Sequence, residues 1–136
     1  MFRKYLIGVA ILSLVLTGTL LANHHTYVNA MKAAAKVTGP TGKAIEAGDM
    51  DTVKKNANAM NRNYTIMAAW WEGRGSTAAF KLAEASAKAA VDLRKAANQG
   101  DKAAAQAAFG KIRGGCKSCH TAHRVKNADG SWGFKD

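Results

Sequence analysis

Proline occurs once in these 136 residues, at position 40, cysteine twice, and acidic side chains only nine times. Each shortage narrows the field. With no second cysteine pair, a zinc site would need further ligands from elsewhere. With one proline and abundant alanine, the chain favours helix, because alanine loses no side-chain entropy on entering one. No strand pattern or long low-complexity tract competes with that reading. Nine acidic against 20 basic side chains leave a net charge of +11. The lysines are scattered and no arginine cluster forms, so the charge reads as a solvated helix surface and not as a nucleic-acid interface. It favours an acidic partner or an anionic surface, with salt weakening the association.

The length allows one small domain, and the first residues are not part of it. Arg3 and Lys4 precede the apolar run "YLIGVAILSLVLTGTLLA". Charge, then an apolar core, then a small residue is the layout of a secretory signal peptide, here residues 1–22 with cleavage after Ala22. A retained anchor is the competing reading, since residues 5–22 approach the minimum span; the run's Gly, Ser and Thr favour cleavage. No cysteine follows the run, which excludes a lipid anchor on a new N-terminal Cys. The chain is therefore read as exported to the periplasm. Its domain, residues 23–136, carries 18 basic and 9 acidic side chains.

Two segments share a punctuation mark. "KAIEAGDMDTVKKNANAM" and "KAANQGDKAAAQAAFGKI" both carry Gly-Asp at one offset. Glycine just past a helix end accepts a left-handed conformation, and aspartate caps the next helix start. Gly48-Asp49 and Gly100-Asp101 thus predict tight turns between antiparallel helices, and "EGRGS" at 72–76 a third break. Four helices follow, near 24–47, 50–72, 76–98 and 101–126, with Gly39-Pro40 expected to kink or interrupt the first. The second carries Val53, Met60, Tyr64, Met67 and Trp71 on one stripe. The third carries Leu82, Ala85, Ala89, Leu93 and Ala96, and the fourth Phe109, Ile112, Cys116 and Cys119. This spacing predicts an all-α, up-down antiparallel four-helix bundle.

The inner stripes are unusually small, and small side chains leave a void that costs stability unless something bulky and apolar fills it. The candidate filler is written in "GGCKSCHTAHR", residues 114–124. The C-x-x-C-H pattern reads as a c-type haem attachment site. Cys116 and Cys119, one helical turn apart, can each form a thioether with a haem vinyl group, and His120 can offer its imidazole to the iron as proximal ligand. A small structural disulfide in an exported chain, a redox pair and a zinc site are the alternatives.

From the motif outward the sequence resembles the class II cytochromes c, that is cytochrome c′ and its low-spin relatives such as cytochrome c556. The resemblance is strong over "GDKAAAQAAFGKIRGGCKSCHTAHR" and weak over the first three helices. In that family the motif lies near the C-terminus of a four-helix bundle. Arg124 fills the family's basic position four after the histidine, and His123 stands where an aromatic residue is common. Aligning "HTYVNAMKAAAK" with the family's first helix implies that Met31 faces the iron, where low-spin members have a ligating methionine and high-spin members a residue that only covers it. Met60 and Met67 read as core, and His24 and His25 as a remote alternative for the sixth ligand. His123, one turn beyond His120, cannot reach the distal face and suits a hydrogen bond or propionate contact. Tyr27 replaces the arginine usual four positions before Met31, leaving Arg62, Arg113 or a lysine as substitutes for propionate pairing.

The function these readings predict is electron transfer by a monohaem c-type cytochrome, His/Met-ligated and low-spin, with Fe(II)/Fe(III) cycling and no catalytic step of its own. The alternative is a five-coordinate, high-spin protein binding nitric oxide or carbon monoxide. A structural helical module with a disulfide is the reading left if haem is absent. Redox proteins with acidic surfaces are the expected partners, and the resemblance implies a homodimer through the first two helices. In the tail "VKNADGSWGFKD", Asp129-Gly130 predicts a turn. Trp132 and Phe134 belong either to a loose terminus or to an aromatic flap over the haem edge or a partner. Of Trp70 and Trp71, one should pack near the haem or the bundle end and the other nearer solvent.

Overall fold

The computed structural model describes residues 2–135, with the side chains of residues 24–135. Four helices run in sequence order: α1 Phe2–Ala47, α2 Met50–Gly73, α3 Thr77–Gln99 and α4 Lys102–His123. Residues 1–22, read above as a signal peptide, lie outside the described side chains. Among the described residues no helix is long and apolar enough to cross a membrane.

The Gly-Asp pairs build the turns as their chemistry dictates. Gly48 and Gly100 adopt φ of +73° and +65°, which a residue without Cβ reaches at no steric cost. Each turn is closed by the same pair of bonds. The glycine N–H donates to Ile45 or Ala97, and the aspartate N–H to Ala44 or Ala96, the pattern of a Schellman motif. The aspartate then caps the next helix. Asp49 accepts the Thr52 N–H at 3.1 Å and Asp101 the Ala104 N–H at 2.9 Å. Gly75 and Ser76 repeat the backbone pattern between α2 and α3, bonding back to Glu72 and Trp71.

The result is the predicted antiparallel bundle. α2 packs on α1 and α3, and α3 on α4, whereas α1 and α4 touch sparsely. Those two helices approach where Gly42 faces Phe109, an added Cβ lying 3.3 Å from the ring. Lys102 Nζ also donates to the Glu46 carbonyl at 2.6 Å. Toward the other end they diverge.

The α2 stripe is buried as predicted, Val53, Met60, Tyr64, Met67 and Trp71 all lying in the core. The α3 stripe is buried as expected at Ala89, Leu93 and Ala96, but its first turns differ. Ala85 is exposed and Leu82 half-buried, while Ala79, Ala83, Ser86 and Ala90 point inward. On α4, Ile112 is buried but Phe109, Cys116 and Cys119 are only half-buried. Pro40 does not interrupt α1, which stays helical through it. Proline deletes one backbone donor, and on either side Thr38 and Thr41 bond their hydroxyls to the Ala34 and Val37 carbonyls.

α4 ends at His123, three residues short of the predicted boundary. Arg124 turns extended, at φ −106° and ψ 135°. The tail then forms two short strands that the sequence did not suggest, β1 Arg124–Lys126 and β2 Trp132–Phe134, paired antiparallel. Gly130, at φ +82°, closes their connection, and Asp129 accepts the Ser131 N–H and hydroxyl.

Helix contact also fixes where α4 can approach α3. A Cβ on Gly115 would lie 2.5 Å from Ser86 Oγ, whereas one on Gly114 meets nothing within 4 Å. Gly→Ala in a helix ordinarily stabilises by ~1 kcal/mol. Gly114→Ala should show that gain in urea unfolding. Gly115→Ala should fall about 1 kcal/mol or more below it, because overpacking opposes propensity. Adding Ser86→Ala should restore the difference.

Candidate functional site

Where α1 and α4 diverge, the bundle holds an apolar cavity of about 330 Å³, within the range of sites that enclose small molecules. All four helices line it. Ala34, Ala35, Ala83 and Gly115 supply the room, Trp71, Met67 and Leu82 the apolar walls, and Cys116, Cys119 and His120 the reactive edge. The polar groups in the wall are already engaged. Thr38 donates to Ala34 and Ser86 to Leu82, so the interior offers little to water. Closed and empty, a void of this volume would cost on the order of 8 kcal/mol at ~24 cal/mol per Å³, comparable to a domain's whole stability.

The motif residues meet here because a three-residue step on α4 sets both cysteines on one side, with His120 directly after the second. Both thiols are free. Cys116 Sγ lies 3.4 Å from the Tyr64 hydroxyl. Burial raises the Cys119 thiol's pKa, with Cys116 adding to the effect. Burial lowers that of His120, and the Arg124 cation lowers it further. His120 therefore favours the neutral imidazole, the form that offers a lone pair to a metal.

Met31 is half-buried on α1 and borders both this cavity and a smaller cleft beside it, as does His120. Met67 also forms part of the cavity wall, while Met60 is plain core. His24 and His25 are exposed and line no part of the cavity. Arg62 and Arg113 are likewise exposed and outside it. The basic residue that does reach the site is Arg124, which lines the cleft with Tyr27, Cys119 and His120.

Sequence spacing did not show the aromatic cluster that closes this end of the bundle. Tyr27 stacks on Trp70 at 4.2 Å between centroids, and Trp71 and Phe134 meet Tyr27 edge-on at 5.9 and 5.1 Å. Burial pushes the Tyr27 hydroxyl's pKa up to about 12. Arg74 lies over the Trp70 ring at 4.7 Å. Trp71 is thus the tryptophan at the cavity and Trp70 the one nearer solvent. His123 is buried against Trp71, with ring centroids 5.4 Å apart. Its Nδ1 pairs with the Lys135 carbonyl at 3.2 Å and its own carbonyl accepts the Lys135 N–H. The tail is an aromatic flap, and His123 fastens it. These side chains come from separate segments, and only the fold brings them together.

The arrangement has the features of a haem site: an apolar slot sized by small residues, two free thiols one turn apart, an adjacent imidazole and a nearby cation. Among the described residues no group of three or more His, Cys, Asp or Glu side chains could hold a metal ion. No curated protein and no solved structure matches the chain. The family model described as Cytochrome C' matches residues 62–124, from the middle of α2 through the motif to Arg124. α1, with Met31, and the tail lie outside the matched residues. That match falls on the segment carrying C-x-x-C-H, in a chain whose four helices pack antiparallel in sequence order around a slot of the right chemistry; over that segment the chain is similar to the Cytochrome C' family, whose cofactor is covalent haem c.

Proposed function

We propose that this chain is an exported electron carrier, with the haem anchored by Cys116 and Cys119, held by His120 on one side and by Met31 on the other. The observation that carries the reading is the placement of Met31 and His120. They stand on α1 and α4, the two helices that diverge, and border one cavity together with both thiols. When bound, the haem supplies a one-electron Fe(II)/Fe(III) couple. The residues do the rest. Apolar walls exclude water, Trp71 and Leu82 limit movement within the slot, and a filled sixth position keeps rearrangement on electron transfer small. No step of bond chemistry on the protein is needed. Residues 1–22 would direct export, and the excess of basic side chains suits redox partners with acidic surfaces.

One observation favours a second reading, in which the iron stays five-coordinate and binds small gases. Met31 is flanked by Ala34 and Ala35, which leave space beside it for a diatomic molecule. Carbon monoxide separates the two. Added to the ferrous protein, it should leave the low-spin absorption spectrum unchanged over minutes. Immediate, stoichiometric uptake by a high-spin ferrous form would establish the gas-binding reading instead.

A further inference from the structure

Arg124 Nε is buried and has no hydrogen-bond partner, alone among the buried side-chain N and O atoms of the described residues. Leaving a buried donor unmet is costly, and more so when the group is charged. Among the described residues no carboxylate bonds to it. Asp129 is bound to Ser131, and no acidic side chain lines either the cavity or the cleft. Yet the side chain is firmly placed. Its guanidinium carbon sits 3.6 Å from the centroid of the Trp132 ring, a stacked cation–π geometry. Trp132 is itself 55% exposed, and burying its own surface does not explain its position.

Everything that holds Trp132 belongs to the hairpin. Lys126 pairs with Trp132 and Arg124 with Phe134 across β1 and β2. Residues directly opposite in an antiparallel pair share a face, so Arg124, Lys126, Trp132 and Phe134 lie on one side. Phe134 anchors that side in the aromatic cluster, 5.0 Å from Trp70, and His123 fastens Lys135 through two hydrogen bonds.

We propose that the C-terminal hairpin is a clasp that aims Arg124 at a carboxylate of the bound haem, with Trp132 as the positioning residue. The inference rests on the cavity holding haem. A haem anchored by the two cysteines would carry two carboxylates on the edge away from its thioethers, and one of them reaching the Arg124 side of the cleft would complete the orphaned Nε. A cation there also stabilises the less positive, reduced iron.

The test uses the holoprotein, with the reduction potential read by spectroelectrochemistry and the haem carboxylate stretch by redox-difference infrared spectroscopy. Arg124→Gln and Trp132→Ala should both shift the potential negative and move the carboxylate band. Arg124→Lys and Trp132→Phe, which keep a cation and a ring, should stay closer to the wild type on both readings. If Arg124→Gln shifts the potential while the band stays fixed, Arg124 is a background charge and the pairing is wrong. If Trp132→Ala changes neither reading, the clasp is wrong. If added acetate moves the wild-type potential with the band fixed, Arg124 holds a solute anion instead, which also overturns the proposal. A wild-type product without covalent haem would be seen before any variant is compared, and would count against the functional reading on which this one stands.

Discussion

Met31→Ala should turn a low-spin protein into a high-spin one that takes up carbon monoxide at once. The methionine–iron absorption band of the ferric protein should vanish, and the reduction potential should fall, because a thioether ligand favours ferrous iron. Two effects would coincide in that variant. Alanine removes a sulfur donor, and it also removes side-chain volume, which at a half-buried position costs toward the lower end of the ~2–5 kcal/mol seen for Met→Ala in cores. Met31→Leu separates them. Leucine nearly conserves volume and should cost less than ~1.5 kcal/mol, yet it offers no donor. If Met31 is a ligand, Met31→Leu loses the band and gains carbon monoxide binding while its thermal unfolding stays near that of the wild type. If Met31 only covers the iron, the wild type has no such band to lose, and both variants leave the spin state where it was.

Replacing both cysteines, Cys116→Ala with Cys119→Ala, should have the larger structural consequence. Where α1 and α4 diverge the bundle holds an apolar slot, with room left by Ala34, Ala35, Ala83 and Gly115 between the apolar walls of Trp71, Met67 and Leu82. Without an anchored filler the helices must either collapse inward, straining the close contacts at Gly42–Phe109 and Gly115–Ser86, or admit water to an apolar slot. Either outcome sacrifices packing that a domain of ordinary stability has little margin to lose. Circular dichroism should retain helix but show a broad thermal transition far below that of the holoprotein. Tyr64→Phe is the control, since it removes the hydroxyl beside Cys116 and leaves both thiols. It should keep covalent haem and a sharp transition. A double variant that unfolds as sharply and as high as the wild type would contradict the view that the filler organises this end of the bundle.

Local chemistry was legible in the sequence where one residue's conformation decides the outcome. Gly48-Asp49 and Gly100-Asp101 read as turns because left-handed φ and carboxylate capping belong to those residue types wherever they occur. The α2 stripe was legible because Met60, Tyr64, Met67 and Trp71 are large, and their spacing leaves one possible face. The α3 stripe was legible at Ala89, Leu93 and Ala96 and not in the helix's first turns. In a helix made mostly of alanine, hydrophobicity barely distinguishes one face from the next, so Ala85 was assigned inward while Ala83 and Ser86 took that place. Alanine content did foretell the slot, and the C-x-x-C-H spacing foretold its reactive edge.

The turn at Asp129-Gly130 was legible in the tail, but its strands were not, because they are three residues each, too short for a period to show. Its order comes from contacts distant in sequence, Phe134 against Tyr27 and His123 against Trp71 and Lys135. Tyr27 illustrates the same limit. Sequence comparison marked it as a departure from an expected arginine, and the fold gives it a different task, as the centre of the aromatic cluster under the flap.

The central claim is that haem is bonded covalently to Cys116 and Cys119 in the slot between the helices. The most direct measurement is the intact mass of the protein, made in cells that mature c-type cytochromes and then unfolded in acid and organic solvent. The account predicts one chain carrying the mass and colour of one haem through that treatment. A colourless chain with free or paired thiols, or a pigment that extracts away from it, would contradict the account.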